Sequence, residues 1–337
     1  MTVRRKFSFS GTSSPHLAMK LSSFRTLATI LAFALVTAAR AEEAPPKGVR
    51  LFTCAHSFHA FVYRQLDGIA KSAGIADHKG VGISSIGGSQ VIRHWDVPDE
   101  KNECKKQLAA GNVDVLTLAP IWMPDQGIDN FAKLGFEHNP NLRITVQEFW
   151  LPNDTYEPKY PLDTRKQVDH DATNPAELKQ KQDQYDHDVD EYVKGINKRL
   201  GKDVIVTVPV GQAAAALRAK IVKGEVPGLP KQWDLFRDMW GHPQIPLQIL
   251  SAYCHYAVIY KRSPVGLPLP EDFARAHIKP KEQDPAKDKA EAKVKGKAKN
   301  VILYHPEWDD KLNRLLQELA WDAVIHHPMS GVTAETK

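Results

Sequence analysis

Long hydrophobic runs are scarce in this sequence of 337 residues, and the one that stands out, Thr26–Ala38, is too short to predict a membrane span. It follows a basic stretch that begins at Met19 and precedes the small-residue motif Ala39-Arg40-Ala41. This order of segments is typical of a secretory signal peptide. We therefore predict that residues 1–41 are leader and signal peptide, cleaved after Ala41, and that the mature protein is secreted or periplasmic with no membrane span.

An excess of basic charge is also lacking once the leader is removed. Residues 1–41 contain six Lys or Arg residues and no acidic residue, so their removal changes the formal net charge from +5 to −1. A near-neutral protein gives no electrostatic reason to expect nucleic-acid binding. The remaining 296 of the 337 residues suffice for one α/β domain with insertions.

Cysteine is rare, with Cys54, Cys104 and Cys254 the only examples. No two of them have the C-x-x-C spacing of metal ligands. Apolar sequence around Cys54 and Cys254 favours buried thiols over a disulfide, although an oxidising compartment would permit one. A Gly-x-Gly-x-x-Gly motif after a predicted strand is absent as well, which disfavours a dinucleotide-binding protein. No cofactor is expected.

Short apolar runs alternate with helix-like segments along the mature chain. Five runs predict strands, at Val49–Cys54, Gly80–Ile86, Val113–Leu118, Arg143–Phe149 and Asp203–Val208. Helices are predicted at 99–111, near 125–137, at Gly211–Val222 and at Pro246–Tyr260. This alternation favours a parallel sheet with helices on both faces. Ligands of such sheets bind beyond the carboxyl ends of the strands.

Polar segments interrupt the alternation and suggest the domain boundaries. Residues 152–180 have several prolines and no clear period, which predicts an insertion at the rim of an α/β domain over residues 42–278. Residues 279–300 are rich in Lys, Ala and Glu and are predicted to be disordered. Residues 301–337 include an apolar stripe, which predicts a C-terminal helix that packs on the domain.

Two groups of residues are open to a metal-binding interpretation. The helix predicted near 180–200 carries Asp183, Asp186, His187, Asp188, Asp190 and Glu191. A solvated helix face is favoured over a metal site, because the acids fall on every side of the helix. His56, His59 and His94 flank the sheet edge, where structural roles are favoured over metal ligation. No metal is expected at either place.

Ser57 lies between the first predicted strand and a helix with apolar residues at three- and four-residue spacing. A serine there can be an ordinary N-cap. It can also be a nucleophile, because the helix N-terminus offers unpaired N–H groups and a positive dipole end to an oxyanion. Asp238 and His242 favour the nucleophile, since they lie four residues apart in a loop expected to return to the same edge. The chain order Ser, Asp, His permits a catalytic relay.

On these residues the chain resembles the SGNH (GDSL-like) hydrolase superfamily, especially its secreted bacterial branches, over roughly residues 49–267. Ala55-His56-Ser57-Phe58 stands at the nucleophile block, Gly87-Gly88 at the oxyanion glycine, and Asp238 with His242 at the C-terminal pair. The resemblance implies a three-layer, flavodoxin-like SGNH-hydrolase fold with about five parallel strands. It also implies a serine hydrolase, an esterase or deacetylase that acts on a carbohydrate.

Departures from the family pattern bear on activity. The usual Asp-x-x-His is Asp-x-x-x-His here, which leaves Asp234 as an alternative orienting carboxylate. The Gly-x-Asn-Asp block is replaced by Ala119–Pro124, so the oxyanion Asn is missing. Loss of one such donor can cost about 100- to 1,000-fold in rate. Gln90 is the first candidate to replace that Asn, and the N–H groups of Ser57 and Gly88 are the other expected oxyanion donors. The alternative function is a non-catalytic glycan-binding protein that keeps the fold.

Tryptophan follows several predicted strand ends, at Trp95, Trp122, Trp150 and Trp240. At the carboxyl edge of the sheet these rings could line a cleft and stack on sugar rings or acyl groups. Each could equally cap the core. Trp122, Trp150 and Trp240 are the predicted substrate-binding residues, and the expected partner is a small molecule or a glycan ester.

Overall fold

The computed structural model of the protein describes residues 44–156, 168–269 and 310–335. The predictions of a signal peptide over 1–41 and of a disordered segment over 279–300 lie outside the described residues, as does part of the insertion predicted at 152–180. The described residues from Pro45 onward belong to one compact unit.

A five-stranded sheet forms the centre of this unit. Its strands are β1 (Arg50–Ala55), β2 (Lys79–Ser85), β3 (Val115–Leu118), β4 (Arg143–Gln147) and β5 (Ile205–Val208). They are all parallel and lie in the order β2-β1-β3-β4-β5, which is the flavodoxin-like order. The predicted fold class is confirmed. Strands β1, β3 and β4 are almost wholly buried, as their unbroken apolar runs require, whereas edge strand β2 is half-exposed.

Helices cover the two faces of the sheet. They are α1 (Val62–Ser72), α2 (Val91–Trp95), α3 (Glu103–Ala109), α4 (Gln126–His138), α5 (Pro175–Leu200), α6 (Val210–Val222), α7 (Ile245–Tyr260) and α8 (Asp310–His326). Helices α1 and α8 both pack against α7, while α2 and α3 both pack against α4. Helix α5 packs against α6 and β5, and α8 also contacts α6. The C-terminal helix therefore lies against the layer that contains α7.

The three cysteines are buried free thiols, as their apolar surroundings indicated. Burial raises the pKa of the Cys254 thiol well above its ordinary value, so this thiol is unreactive as a nucleophile. No helix in the described part of the chain combines the length and the apolar character needed to cross a bilayer.

Ser57 lies between β1 and the helix that follows it, but it is not the N-cap of that helix. Residues 57–61 form a turn in which the His56 carbonyl accepts hydrogen bonds from the N–H groups of His59 (3.0 Å) and Ala60 (2.9 Å). Helix α1 begins at Val62, and its N-cap, Phe61, makes no side-chain capping bond. The N-cap interpretation of Ser57 is wrong. Ser57 instead sits on a tight turn between strand and helix.

The solvated-face interpretation of the charged helix is wrong for two of its acids. Asp186 and Asp190, on α5, are 3% and 6% exposed. The helix is covered on that side by α6 and by the segment after α8, whose His327 lies 3.3 Å from Asp190. Asp183 on the outer side is exposed, as expected. Charge pattern alone could not reveal that a second layer covers one side of this helix.

Gly127 allows α4 to approach α2 at van der Waals distance, which generates a test of the fold. A Cβ there would lie 2.3 Å from the Ile92 nitrogen and 2.4 Å from the Val91 carbonyl carbon. Gly127→Ala should therefore lower the free energy of unfolding by about 1–3 kcal/mol, measured by guanidinium denaturation. Gly195→Ala in α5 is the matched control, because its Cβ would meet nothing closer than 3.5 Å. That control should raise stability by up to about 1 kcal/mol, and equal losses in both variants would contradict the proposed contact.

Candidate active site

The carboxyl ends of β1 and β2 place two loops side by side. Ala55 at the end of β1 pairs with Ser85 at the end of β2, and the Ile86 N–H donates to the Ala55 carbonyl (3.0 Å). Ser57 therefore emerges from the sheet next to the loop that contains Gly88. This is the edge at which parallel sheets bind ligands.

Ser57, His242 and Asp238 come together at this edge. His242 Nε2 lies 3.0 Å from Ser57 Oγ, and His242 Nδ1 lies 2.8 Å from Asp238 Oδ2. The contacts predicted from the sequence are present, with the serine and histidine well inside the expected separation of about 4 Å. Because Nδ1 faces a carboxylate, we assign its proton to that bond, which leaves Nε2 to accept from the Ser57 hydroxyl.

Asp238 orders its loop as well as the imidazole. Its Oδ1 accepts hydrogen bonds from the backbone N–H groups of Trp240 and His242, both at 3.1 Å. Partial burial opposes ionisation, but the hydrogen bonds and charge of His242 outweigh it and lower the pKa of the Asp238 carboxyl. Asp234, the alternative orienting residue, does not have this role, because His242 Nδ1 contacts Asp238; the Asp234 carboxylate accepts from the Lys231 N–H at 2.9 Å.

The loop from Phe236 to Pro243 is closed by backbone contacts. Phe236 and Pro243 form an antiparallel bridge, and the Arg237 N–H donates to the His242 carbonyl (3.0 Å). Gly241 has φ = +86°, a conformation that favours glycine and lets the chain reverse just before His242. The histidine is therefore presented by a short closed loop.

Trp150 supports this loop and is not a substrate-binding residue. It is only 4% exposed, and its indole N–H donates to the Gly241 carbonyl (2.8 Å). Its ring packs on Phe58 at a centroid distance of 5.1 Å, and Phe58 in turn stacks on the His242 imidazole at 4.9 Å. The predicted stacking role of Trp150 is wrong, because the ring is enclosed behind the His242 imidazole.

The other tryptophans differ in their surroundings. Trp95 packs edge-on against Phe131, with Lys105 over its ring, which is a structural role. Trp122 and Trp240 are both partly exposed. Trp240 belongs to the same loop as His242, and its backbone N–H donates to Asp238 Oδ1. Substrate binding by Trp122 and Trp240 stays a prediction.

Hydrogen-bond donors are available near the nucleophile. Neither the Ser57 N–H nor the Gly88 N–H has a hydrogen-bond partner among the described residues, and the Gln90 side-chain amide likewise has none there. Gly88 is exposed with φ = +61°, and a Cβ on it would meet open space. These three groups were the donors expected from the sequence, and they remain free to serve an oxyanion.

Asp125 fixes the end of the loop that carries Gly88 and Gln90. Its buried carboxylate accepts from the N–H groups of Val91 (2.6 Å), Ile92 (2.9 Å) and Gly127 (3.1 Å). One side chain therefore caps α2, which starts directly after Gln90, and α4 as well. Burial raises the pKa of the Asp125 carboxyl to about 6, against the lowering effect of the three N–H groups. This role of Asp125 could not be predicted from the sequence, since α2 itself was not predicted.

The three histidines near this edge have structural roles. His56 Nδ1 accepts from the Phe58 N–H (3.2 Å), and burial, followed by the neighbouring histidines, lowers the pKa of His56 to about 3. His59 Nε2 pairs with the Thr117 hydroxyl at 3.1 Å. The His94 ring lies between two serine hydroxyls, at 2.7 and 2.9 Å. The structural interpretation of these residues is supported.

A buried ion-pair network behind the loop was missed by the sequence analysis. Arg218 binds both carboxylate oxygens of Asp154, at 2.5 and 2.8 Å. His170 Nδ1 lies 2.9 Å from Asp154 Oδ2, and its Nε2 lies 3.2 Å from the Asp238 carbonyl oxygen. Residues from three separate segments thus hold the backbone of Asp238. They are too far apart in the chain to form a recognisable motif.

Comparisons with known proteins do not assign the chemistry of this site. No protein-family model matches the chain, and no curated protein matches it significantly. The chain is similar to the crystal structure of a DUF4886 family protein from Bacteroides uniformis, with 14% sequence identity and a TM-score of 0.46. That similarity covers 86% of this chain and 99% of the other.

The Asp154 network generates a stability prediction. Asp154→Asn leaves the buried Arg218 without its carboxylate and should lower the free energy of unfolding by about 3–5 kcal/mol near neutral pH. Urea denaturation of the wild-type protein and the variant measures the difference. Asp183→Asn, at an exposed ion pair with Lys179, is the matched control and should change stability by less than about 1 kcal/mol.

The same network predicts how stability depends on pH. Burial raises the pKa of Asp154, but the bonds from His170 and Arg218 lower it well below the ordinary 3.8. A depressed carboxylate pKa contributes stability that is fully present above 3.8 and is lost as the pH falls toward the folded-state value. Wild-type protein should therefore lose more stability than Asp154→Asn between pH 5 and pH 3. Parallel losses would show that Asp154 is not ionised in the folded protein.

Proposed function

We propose that the protein is a serine ester hydrolase similar to the SGNH hydrolases, an esterase or deacetylase on a carbohydrate ester. The observation that carries the proposal is the continuous contact from Ser57 Oγ through the His242 ring to Asp238. The parallel sheet, with Ser57 directly after β1 and its neighbouring glycine loop after β2, supports the resemblance stated from the sequence.

The first half of the reaction follows from these positions. Ser57 Oγ attacks the ester carbonyl carbon while its proton passes to His242 Nε2. Asp238 accepts a hydrogen bond from the His242 Nδ1–H throughout and stabilises the imidazolium that forms. The tetrahedral intermediate collapses as the bond to the alcohol breaks, and Nε2 returns its proton to that leaving oxygen. An acyl group is then esterified to Ser57.

The second half repeats these steps with water. His242 Nε2 takes a proton from water, the resulting hydroxide attacks the acyl carbon, and the Ser57 oxygen leaves and regains the proton. Stacking of Phe58 on the imidazole keeps the ring in one orientation during both transfers. A carboxylic acid and an alcohol are the products.

The oxyanion is assigned to three donors. The Ser57 and Gly88 N–H groups and the Gln90 amide are the candidates because no described residue occupies them. The segment after β3 supplies no amide side chain, since it reads Ala119-Pro-Ile-Trp-Met-Pro124, and the Pro120 carbonyl is bound by the Tyr185 hydroxyl (3.1 Å). Gln90 replaces the missing donor in this proposal.

Two tryptophans support a carbohydrate substrate in this proposal. The half-exposed Trp240 stands in the same loop as Asp238 and His242, and Trp122 follows β3. Indole rings at a cleft edge stack on sugar rings. Export, as predicted from the N-terminal sequence, would bring the protein to extracellular or cell-wall glycans.

The alternative is a non-catalytic glycan-binding protein. The observation that favours it is the absence of an amide side chain in the segment after β3, which removes one expected oxyanion donor. In this case the Ser57 contact would be a remnant, and Trp240 would carry the binding. The two functions differ in whether a serine probe reacts with the protein.

Labelling with a fluorophosphonate tests the enzyme directly. Wild-type protein should be labelled at Ser57 and should hydrolyse a small aryl acetate. Ser57→Ala should lose both properties, because the nucleophile is gone. Ser85→Ala is the matched control, since Ser85 is exposed at the end of the neighbouring strand, and it should keep both. Asp238→Asn should retain less than about one hundredth of the activity, because the histidine tautomer is disturbed.

The proposal would be contradicted if the wild-type protein neither reacted with the fluorophosphonate nor hydrolysed an ester. Binding of glycan oligosaccharides, lost in Trp240→Ala, would then support the alternative. Hydrolysis that persists unchanged in Ser57→Ala would place any activity at another residue.

A further inference from the structure

A second group of ionisable side chains lies inside the protein, apart from Ser57 and its partners. Glu148 directly follows β4, Asp190 lies on α5, and His327 follows α8. They are 0%, 6% and 4% exposed. Three elements distant in sequence thus each contribute one potential metal ligand to one buried point.

The distances between these side chains match the edges of a metal coordination polyhedron. His327 Nε2 lies 3.3 Å from Asp190 Oδ1 and 3.4 Å from Glu148 Oε1. One ligand atom from each of the three side chains lies within 4.8 Å of the other two. Bonds of about 2.0–2.1 Å at tetrahedral angles separate ligand atoms by about 3.3–3.4 Å, which is the geometry that Zn²⁺ favours.

Glu148 points to a missing positive charge. Both of its carboxylate oxygens are buried, and neither has a hydrogen-bond partner within the described residues. One buried oxygen of Asp186, close behind, is also unpartnered. A buried carboxylate without partners is costly unless it is neutralised or coordinates a metal.

Nearby side chains do not supply enough positive charge. In the described part of the chain, no Lys or Arg forms an ion pair with Glu148, Asp186 or Asp190. His327 is the single basic partner of this group there, so three carboxylates share one imidazole. A divalent cation would balance this excess of negative charge.

Supporting side chains hold two of the three potential ligands, Asp190 and His327, in place. The Thr207 hydroxyl donates to Asp190 Oδ1 (3.1 Å) and lies 2.7 Å from His327 Nε2. The Gln212 amide lies 3.0 Å from His327 Nδ1 and can present its oxygen to that nitrogen when Nε2 binds a metal. Such contacts to the second ring nitrogen orient metal-binding histidines.

A groove open to solvent lies near this point. This groove of about 410 Å³ runs between α5 and α6, and its lining includes Gln182 and Gln212. Gln182 donates to Asp186 Oδ1 (2.7 Å), while Gln212 contacts His327. The polar part of the groove therefore adjoins the acidic group, as a buried ion site requires.

We propose that Glu148, Asp190 and His327 form a binding site for a divalent first-row transition-metal ion, with Zn²⁺ preferred. The ion joins the end of β4, helix α5 and the segment after α8, and so it fixes the C-terminal segment to the sheet. The role is structural, because the site shares no residue with Ser57, Asp238 and His242. Two carboxylates with one imidazole suit Zn²⁺ or Mn²⁺ better than Ca²⁺, which takes oxygen ligands.

Calorimetric titration of the chelator-treated full chain tests the site. Zn²⁺ should bind with a stoichiometry of one per chain, and Ca²⁺ should bind at least 100-fold more weakly. Thermal unfolding at Zn²⁺ concentrations about 100 times the Kd should show a Tm higher by several degrees, because the ion binds the folded state. Ser57→Ala should bind Zn²⁺ as wild type does, which separates this site from the proposed hydrolase.

Variants identify the ligands. His327→Gln should weaken Zn²⁺ binding at least 100-fold, whereas His326→Gln, at the exposed neighbouring histidine, should bind normally. Glu148→Gln keeps the shape of the side chain and removes an unpartnered buried charge. This variant should have a higher Tm than the metal-stripped wild type and should lose the rise of Tm with Zn²⁺.

Two results would overturn the proposal. One is a folded wild-type protein that binds no Zn²⁺ or Mn²⁺ below millimolar concentration. The other is a rise of Tm with Zn²⁺ that persists in Glu148→Gln. This second variant keeps the test valid even where His327→Gln fails to fold. Either result would leave the group as a hydrogen-bonded acid–imidazole network without a metal.

Discussion

The active-site geometry depends on one carboxylate that makes two kinds of bond. Asp238 uses Oδ1 to bind the backbone N–H groups of Trp240 and His242, and it uses Oδ2 to bind the His242 ring. The first bonds fold the chain into a turn and the last orients the imidazole. Because the same side chain serves both functions, the shape of the loop and the orientation of the His242 ring depend on each other. The turn brings the His242 N–H back to the Asp238 carboxylate. This explains how an aspartate four residues before the histidine can orient its ring.

Behind that loop, buried polar groups hold the backbone in place. The Asp238 carbonyl is connected to the 3₁₀ turn after β4 through His170, Asp154 and Arg218. The Gly241 carbonyl is connected to the same strand end through Trp150. The nucleophile side is tied to this strand too, since the Gln147 amide donates to the Phe58 carbonyl (3.0 Å). The end of β4 is therefore the common support of both halves of the site.

The sequence predicted what local patterns determine. All five strands were located within two residues, because unbroken apolar runs identify buried parallel strands. Ser57, Asp238 and His242 were found because their chain order and the strand–helix rhythm place them at one edge. The roles of Asp125 and Trp150 were missed or misassigned, since each depends on a partner distant in sequence. The inner side of α5 was misjudged for the same reason: burial of its acids is decided by the layer that covers it.

Chain separation has a consequence for how the site is assembled. Ser57 and His242 are 185 residues apart in sequence, yet their side chains touch. Parallel strand pairs and contacts of such long range form late, because the entropy of closing large loops is lost before the contacts repay it. A partly folded chain can therefore contain α-helices and a correctly shaped Asp238 loop and still have no nucleophile beside its histidine. Recovery of the Ser57–His242 contact therefore reports that the whole sheet has formed, and not only one half of it.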